Sequence, residues 1–354
     1  MRKTVRRLIF FALWISLLQG APVGAVTTEE VAAKIKPLNS QEKLNYLVQG
    51  ARREGELVYY GTLPIDEFLP LARVFNGRYH SLALQHYFSP RDGILSRTLT
   101  EARAGRHAAD VVQVDLSYGY QLLNANLVQP YAVPGANQFY EGTYDPGGFW
   151  HSMYYLTTAL IYNSNSVKPG QAPKTYDDLL NSAWRGKMVF DPEAGYILAA
   201  LEQVWGREKA LAYLSKLSKQ DLSYRRGGTL TTQVVSSGEF PIGIAINGET
   251  SAAIRDKGAP LGFKVLAPTI VKPEGLFVAK NAPHPHAALL FVEWVLSREA
   301  QSFLATTLGK GSAMKGVRSK YKEFALKPDF VVSPKLGASL QAYIQGFRKV
   351  MNAP

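Results

Sequence analysis

The sequence predicts an α/β protein built as two lobes, each a sheet flanked by helices. Three strand-to-helix units fall within residues 56–118, and a second set of such joints falls within residues 188–254. Between them runs a stretch rich in Pro, Gly and aromatic residues, which marks the crossing from one lobe to the other. A chain of 354 residues is long enough to bury two cores of ordinary domain size. The expected division is residues 56–150 and 265–310 in lobe 1, residues 151–264 in lobe 2, a helical arm over 26–55 and a C-terminal extension over 311–354 that packs on lobe 1.

The chain opens with the basic run Met1-Arg2-Lys3-Thr4-Val5-Arg6-Arg7, an apolar run from Leu8 to Leu18, and the small-residue pattern Val23-Gly24-Ala25. That order reads as an export signal over residues 1–25, cleaved near Ala25. Arg6-Arg7 leaves both the general secretory and the twin-arginine route open. With no cysteine in an exported chain, disulfides, thiolate ligands, a cysteine nucleophile and a lipidated cysteine are all excluded. Loss of the signal removes four basic residues and no acid, so the formal charge falls from +12 to +8. A basic surface suits anionic partners. There is no run of five Lys or Arg and no nucleic-acid motif, so nucleic acid is not an expected partner.

Residues 27–53 are helical by spacing, with a break at Pro37 and an end near Gly50 or Gly55. Leu57-Val58-Tyr59-Tyr60 is the first strand, and it delivers Thr62 to its carboxyl end. Ser81 to Phe88 is the second, followed by Ser89-Pro90-Arg91-Asp92-Gly93 and a helix. Ala109 to Val114 is the third, delivering Asp115, Ser117 and Tyr118 to the same edge. Ligands of open α/β sheets bind beyond the carboxyl ends of strands, so these positions are site candidates. Phe149 to Tyr155 and Thr158 to Tyr162 read as a pair of strands. In the second lobe, Met188-Val189-Phe190 leads to Asp191 and Tyr196 at a helix start, and Arg225-Arg226-Gly227-Gly228-Thr229 precedes another helix. Ile242, Ile244 and Ile246 form a buried strand that opens on Asn247-Gly248-Glu249-Thr250. Residues 262–266 and 275–279 read as return strands, and the helices over 287–296 and 299–308 pack back on lobe 1.

The six histidines include no HExxH pair, and no GxSxG or phosphate-binding Walker loop is present. An enzyme is therefore not predicted. Paired guanidiniums beside glycines at a helix start suit a carboxylate or phosphate, so Arg226, Thr229 and Arg91 are candidate ligand groups. With Thr62, Asp115, Ser117, Tyr118, Tyr196, Asn247 and Glu249 they make up the predicted binding set. Neither a catalytic residue nor a metal ligand nor a cofactor is assigned.

The ordered segments Leu47–Tyr60, Glu101–Arg106 with Ala109–Val112, Pro173–Leu180 with Trp184–Lys187, Gly238–Gly243, and Ala282–Ala288 with Phe291–Gln301 together resemble the periplasmic solute-binding proteins of ABC importers. The resemblance is to the ferric-iron-binding group, of type II fold. It implies crossing hinge strands, a monomer, a small-molecule solute held between the lobes, and delivery to the membrane permease. One position departs from the group: where adjacent iron-binding tyrosines are typical, this chain has Asn247-Gly248-Glu249. The expected cargo is therefore a small anionic organic solute, phosphorylated or carboxylated. Ferric iron held through a synergistic anion and Tyr118 or Tyr196 is the alternative, and an exported enzyme on the same fold is a further one.

Overall fold

The structure is a computed structural model that describes residues 26–324 and 327–354, so the predicted export signal lies outside the described residues. The N-terminal arm is two helices, α1 (Thr28–Ile35) and α2 (Ser40–Glu54). Thr27 and Asn39 cap them, each in a reciprocal pairing with the glutamate three residues on. Of the two glycines considered as stops, Gly55 ends α2, because it takes the left-handed φ of 79° that closes a helix without steric cost.

Lobe 1 continues as β1 (Glu56–Gly61), α3 (Ile65–Arg78), β2 (Ala83–Phe88), α4 (Arg91–Arg103), β3 (Val111–Asp115) and α5 (Leu116–Asn124). β1 lies between β2 and β3, and both pairings are parallel, as right-handed βα crossovers require. β4 (His151–Asn163) then leaves the lobe. Lobe 2 holds β5 (Met188–Phe190), α6 (Gly195–Trp205), α7 (Arg207–Leu217), β6 (Ser223–Tyr224), α8 (Gly228–Ser236), β7 (Ile242–Asn247), α9 (Gly248–Asp256) and β8 (Leu261–Lys264). β9 (Ile270–Val278) returns to lobe 1, where α10 (Pro285–Val295) and α11 (Arg298–Thr306) follow.

β4 is one unbroken strand, not the pair expected from the sequence. Its first half pairs antiparallel with β9 and its second half with β7 and β8, so no turn intervenes between Tyr155 and Thr158. β9 likewise exceeds its expected span, because it pairs with β3 through Val111–Asp115 and with β4 through His151–Thr157. Eight of the ten strands among the described residues lie on one sheet path, β2-β1-β3-β9-β4-β7-β5-β6, with β8 paired to β4 beside it and β4 running through both lobes.

The C-terminal extension differs from expectation in one half. β10 (Phe330–Val331) pairs with β9, and α12 (Pro334–Gly337) lies on α5 of lobe 1. α13 (Leu340–Met351), however, packs on α6 and α7 of lobe 2. The reason is its apolar stripe of Leu340, Ile344, Phe347 and Met351, which is buried in a cluster shared with Phe190, Ile197 and Leu201. Two glycines allow the close approaches. A β-carbon at Gly337 would meet Ser117 O at 2.2 Å, and one at Gly195 would meet Ile344 N at 2.6 Å.

Gly195→Val therefore pushes α13 off α6, at a cost of about 1–3 kcal/mol for overpacking a fitted contact. A lower urea midpoint in equilibrium unfolding, against an unchanged midpoint for a substitution at exposed Gly170, is the expected result.

Candidate functional site

Six helices begin where strands end along the line between the lobes: α3, α4, α5, α6, α8 and α9. Only α5 has a side-chain cap, Asp115, whose carboxylate accepts from Ser117 N at 2.9 Å. The residues at the cap positions of the other five are Pro64, Pro90, Ala194, Gly227 and Asn247, and none makes a capping bond. Away from this line, Thr27, Asn39 and Ser297 cap α1, α2 and α11, while Glu54 accepts from the first N–H groups of α10. The uncapped ends leave N–H donors and the positive ends of helix dipoles directed at the interlobe space.

On the lobe 1 side, Thr62 lies just past β1. Its hydroxyl and N–H contact the Gln113 side chain at 2.9–3.2 Å. Gln113 Nε2 donates to Glu274 Oε2 at 2.6 Å, and Tyr59 O–H donates to Gln113 Oε1 at 3.0 Å. Glu274 on β9 stands directly across from Asp115 on β3 and from Tyr154 on β4. Burial and the nearby Asp115 push its carboxyl up to about 7. Gln113 and Glu274 were missed in the sequence reading. The signal was present as a single polar residue inside the apolar run Val111-Val112-Gln113-Val114, and as an acid inside the buried strand Ile270–Val278.

On the lobe 2 side, Asn247 ends β7 and Thr158 of β4 is its direct antiparallel partner, so the two side chains share a face. Thr158 is 7% exposed. Thr158 Oγ1 and Asn247 Oδ1 are both buried without a hydrogen-bond partner in the protein. Two residues earlier, Ala245 has a φ of 63°, a left-handed backbone that costs a non-glycine residue energy and re-aims the end of the strand. Its carbonyl accepts from Tyr196 O–H at 3.0 Å, and Lys272 Nζ sits 4.7 Å from the Tyr196 ring centroid.

Glu249 has a different place from the solute-reading one expected of it. Both carboxylate oxygens are occupied by Thr157, from its N–H at 2.7 Å and its hydroxyl at 2.8 Å. Burial raises its carboxyl to about 7. The physical reason is that the first turn of α9 packs against β4, so the acid ties helix to hinge strand.

The remaining predicted groups form the rim. Arg91, at the start of α4, lies over the Tyr118 ring at 4.4 Å, and burial pushes the Tyr118 hydroxyl up to about 12. Arg91 Nη2 reaches Glu193 of lobe 2 at 3.4 Å. Arg226 reaches Glu193 at 3.2 Å and Asp92 of lobe 1 at 3.4 Å. Arg225 turns instead to Glu239 at 3.0 Å. Ser117 bonds back to Asp115, and Thr229 is exposed in the first turn of α8. Thus Thr62 and Asp115 line one side, Asn247 and Tyr196 the other, and Arg91, Tyr118 and Arg226 meet at the rim.

Two α/β lobes joined through β4, with helix starts at their facing strand ends, make up the type II periplasmic-binding fold. Residues 82–330 match the model of the bacterial extracellular solute-binding protein family, and the chain belongs to that family, whose members are binding proteins and not enzymes. Among curated relatives, an iron uptake protein A1 of Synechocystis is 26% identical over 219 residues, covering 55% of this chain and 59% of the relative. The chain thus spans about three-fifths of the length of the curated relatives it matches. Among solved structures, iron-bound HitA from Pseudomonas aeruginosa superposes with a TM-score of 0.71 at 20% identity, covering 83% of this chain and 99% of that one. AfuA from Actinobacillus pleuropneumoniae, with fructose-6-phosphate bound, gives 0.71 at 21% identity, covering 85% and 99%. At such identities the structures establish the fold. No helix among the described residues is long and apolar enough to cross a membrane.

The buried Glu274 sets a pH dependence. Its folded-state value near 7 stands above the ordinary 4.5, so the neutral acid is favoured on folding. The stability it contributes is complete below pH 4.5 and is lost as the pH rises through about 7. In Glu274→Gln the fall in urea-unfolding free energy between pH 5 and pH 8 shrinks by about 1–3 kcal/mol.

Proposed function

We propose that this protein is the periplasmic receptor of an ABC importer for a small anionic organic solute, carrying a phosphate or carboxylate group. The solute lies between the lobes and is handed to the membrane permease by a monomeric receptor. The observation that carries this reading is the uncapped start of α9, where Asn247 Oδ1 and Thr158 Oγ1 are buried without partners. A buried polar atom left unpaired costs roughly 1–3 kcal/mol, so a site that keeps two of them side by side is built to receive something that satisfies them. An anion completes the free N–H groups of the helix start, and an attached hydroxyl completes the amide and hydroxyl oxygens.

Iron is named for several relatives, as Fe(3+) for one from Serratia marcescens, and the ferric ion wants hard anionic donors. At the corresponding edge this chain offers the neutral Asn247, while Tyr196 donates its proton to Ala245 and both Glu249 oxygens are taken by Thr157. These donors favour the organic solute.

Native mass spectrometry of the freshly purified protein, followed by a thermal-shift screen of sugar phosphates and dicarboxylates, tests the reading. A matching solute at a hundred times its Kd adds about 2.7 kcal/mol of stability. Stabilisation by ferric salts alone, with a visible phenolate-to-iron band, would falsify it.

Thr158→Val removes one orphaned hydroxyl at nearly constant volume. Its unliganded stability is unchanged or about 1 kcal/mol higher, because no hydrogen bond is lost. Affinity for the solute identified by the screen falls about tenfold, one charge-assisted or buried hydrogen bond being worth that much; isothermal titration measures it.

A further inference from the structure

Glu193, in the turn between β5 and α6, is the meeting point of three guanidiniums from three parts of the chain. Arg91 comes from lobe 1 at 3.4 Å, Arg226 from lobe 2 at 3.2 Å and Arg348 from the C-terminal helix α13 at 3.3 Å. The contacts are long. Pairs with one partner each, Arg78–Glu299, Arg97–Glu101 and Arg207–Glu202, close to 2.7 Å, while Arg255, shared between Asp256 and Glu323, stays at 3.3 and 3.1 Å. A charge-assisted N–H···O bond settles at about 2.7–2.9 Å, so one carboxylate with two oxygens is shared too thinly among three planar forks. Donor capacity is left over, and Arg348 Nε is buried with no acceptor at all. The carboxylates around this cluster are otherwise employed: Asp115 caps α5, Asp191 accepts from Glu193 N at 2.9 Å, and Asp92 takes one amino group of Arg226 at 3.4 Å.

We propose that Arg91, Arg226 and Arg348 form an oxyanion subsite in which the Glu193 carboxylate is a stand-in for the phosphate or carboxylate of a solute. When the solute's anion enters, Glu193 turns away and the anion takes over the three guanidiniums. A phosphate, with more oxygens than a carboxylate, satisfies more of the unused donors. Arg348 is thus a specificity-determining residue supplied by the C-terminal extension. Its position is fixed by features independent of charge: Ile344 packs on Gly195, and Tyr224 O–H donates to the Met351 carbonyl at 2.6 Å. Because one guanidinium comes from each lobe, an anion held there ties the lobes together directly. The proposal rests on the anionic-solute reading and adds to the α9 start a second, rim contact for an anionic group of the solute.

Isothermal titration of the full mature chain with inorganic phosphate, and separately with succinate, is the test. Glu193→Gln removes the competing charge and binds phosphate about tenfold more tightly than the wild type, with a smaller gain for succinate. Arg348→Gln, which keeps most of the side chain, binds phosphate about tenfold more weakly, and Arg348→Lys lies between. Melting of the unliganded variants serves as the folding control. Weaker or unchanged phosphate binding in Glu193→Gln overturns the stand-in role. If phosphate or succinate binds the wild type but Arg348→Gln binds it equally well, the subsite is overturned while the anionic-solute reading stands. If neither anion binds wild type or Glu193→Gln, the subsite is likewise overturned; the reading then falls only if the solute retained on purification is not anionic.

Discussion

The constraint on which the rest depends is that β4 belongs to both lobes at once, with β9 as its partner on the lobe 1 side. Each contributes backbone hydrogen bonds to the lobe 1 sheet, and β4 continues into lobe 2 through β7 and β8. A sheet buried on both faces fixes its register strongly, since a one-residue slip would reverse every side chain. That register stands Glu274 opposite Asp115 and Tyr154, and Thr158 opposite Asn247. The polar groups of the cleft are therefore placed by strand pairing. Thr157 adds a second tie, holding Glu249 and thus the start of α9 against β4.

Around this frame most of the helix starts that face the other lobe are open. Elsewhere α1, α2 and α11 carry caps of their own and α10 borrows Glu54, while α7, α12 and α13 start without a side-chain cap. Those facing the other lobe are left open except at α5. Caps are worth on the order of 1 kcal/mol each, so leaving five unfilled lowers stability where the chain can least offer alternative acceptors. The arrangement is coherent if an external group fills them, and the orphaned oxygens of Asn247 and Thr158 point the same way.

Much of the lobe architecture was legible because it rests on local rules: apolar strands of four to six residues, turns with Pro and Gly, and helices that follow. The edge carrying Thr62, Arg91, Asp115 and Asn247 was legible for the same reason, as strand ends are sequence features. What was not legible depends on pairings far apart in the chain. Glu249 looks like a free acid at a helix start until Thr157, 92 positions away, is brought to it. Glu193 lay unnoticed in Asp191-Pro192-Glu193 because its three arginine neighbours come from residues 91, 226 and 348. The destination of α13 was misjudged since an amphipathic stripe shows that a helix docks, and not where.

The continuity of β4 has a mechanical consequence. A joint made of loops bends at low cost and has no preferred angle, but a joint made of hydrogen-bonded strands resists like a leaf spring and returns towards its rest shape. Reorientation of the lobes must be taken up as added twist over the few residues near Leu156–Thr158, where β4 exchanges β9 for β7 as its neighbour. The strand's share of the restoring torque is then set by backbone geometry, beside the Arg91–Glu193 and Arg226–Asp92 contacts that cross between the lobes.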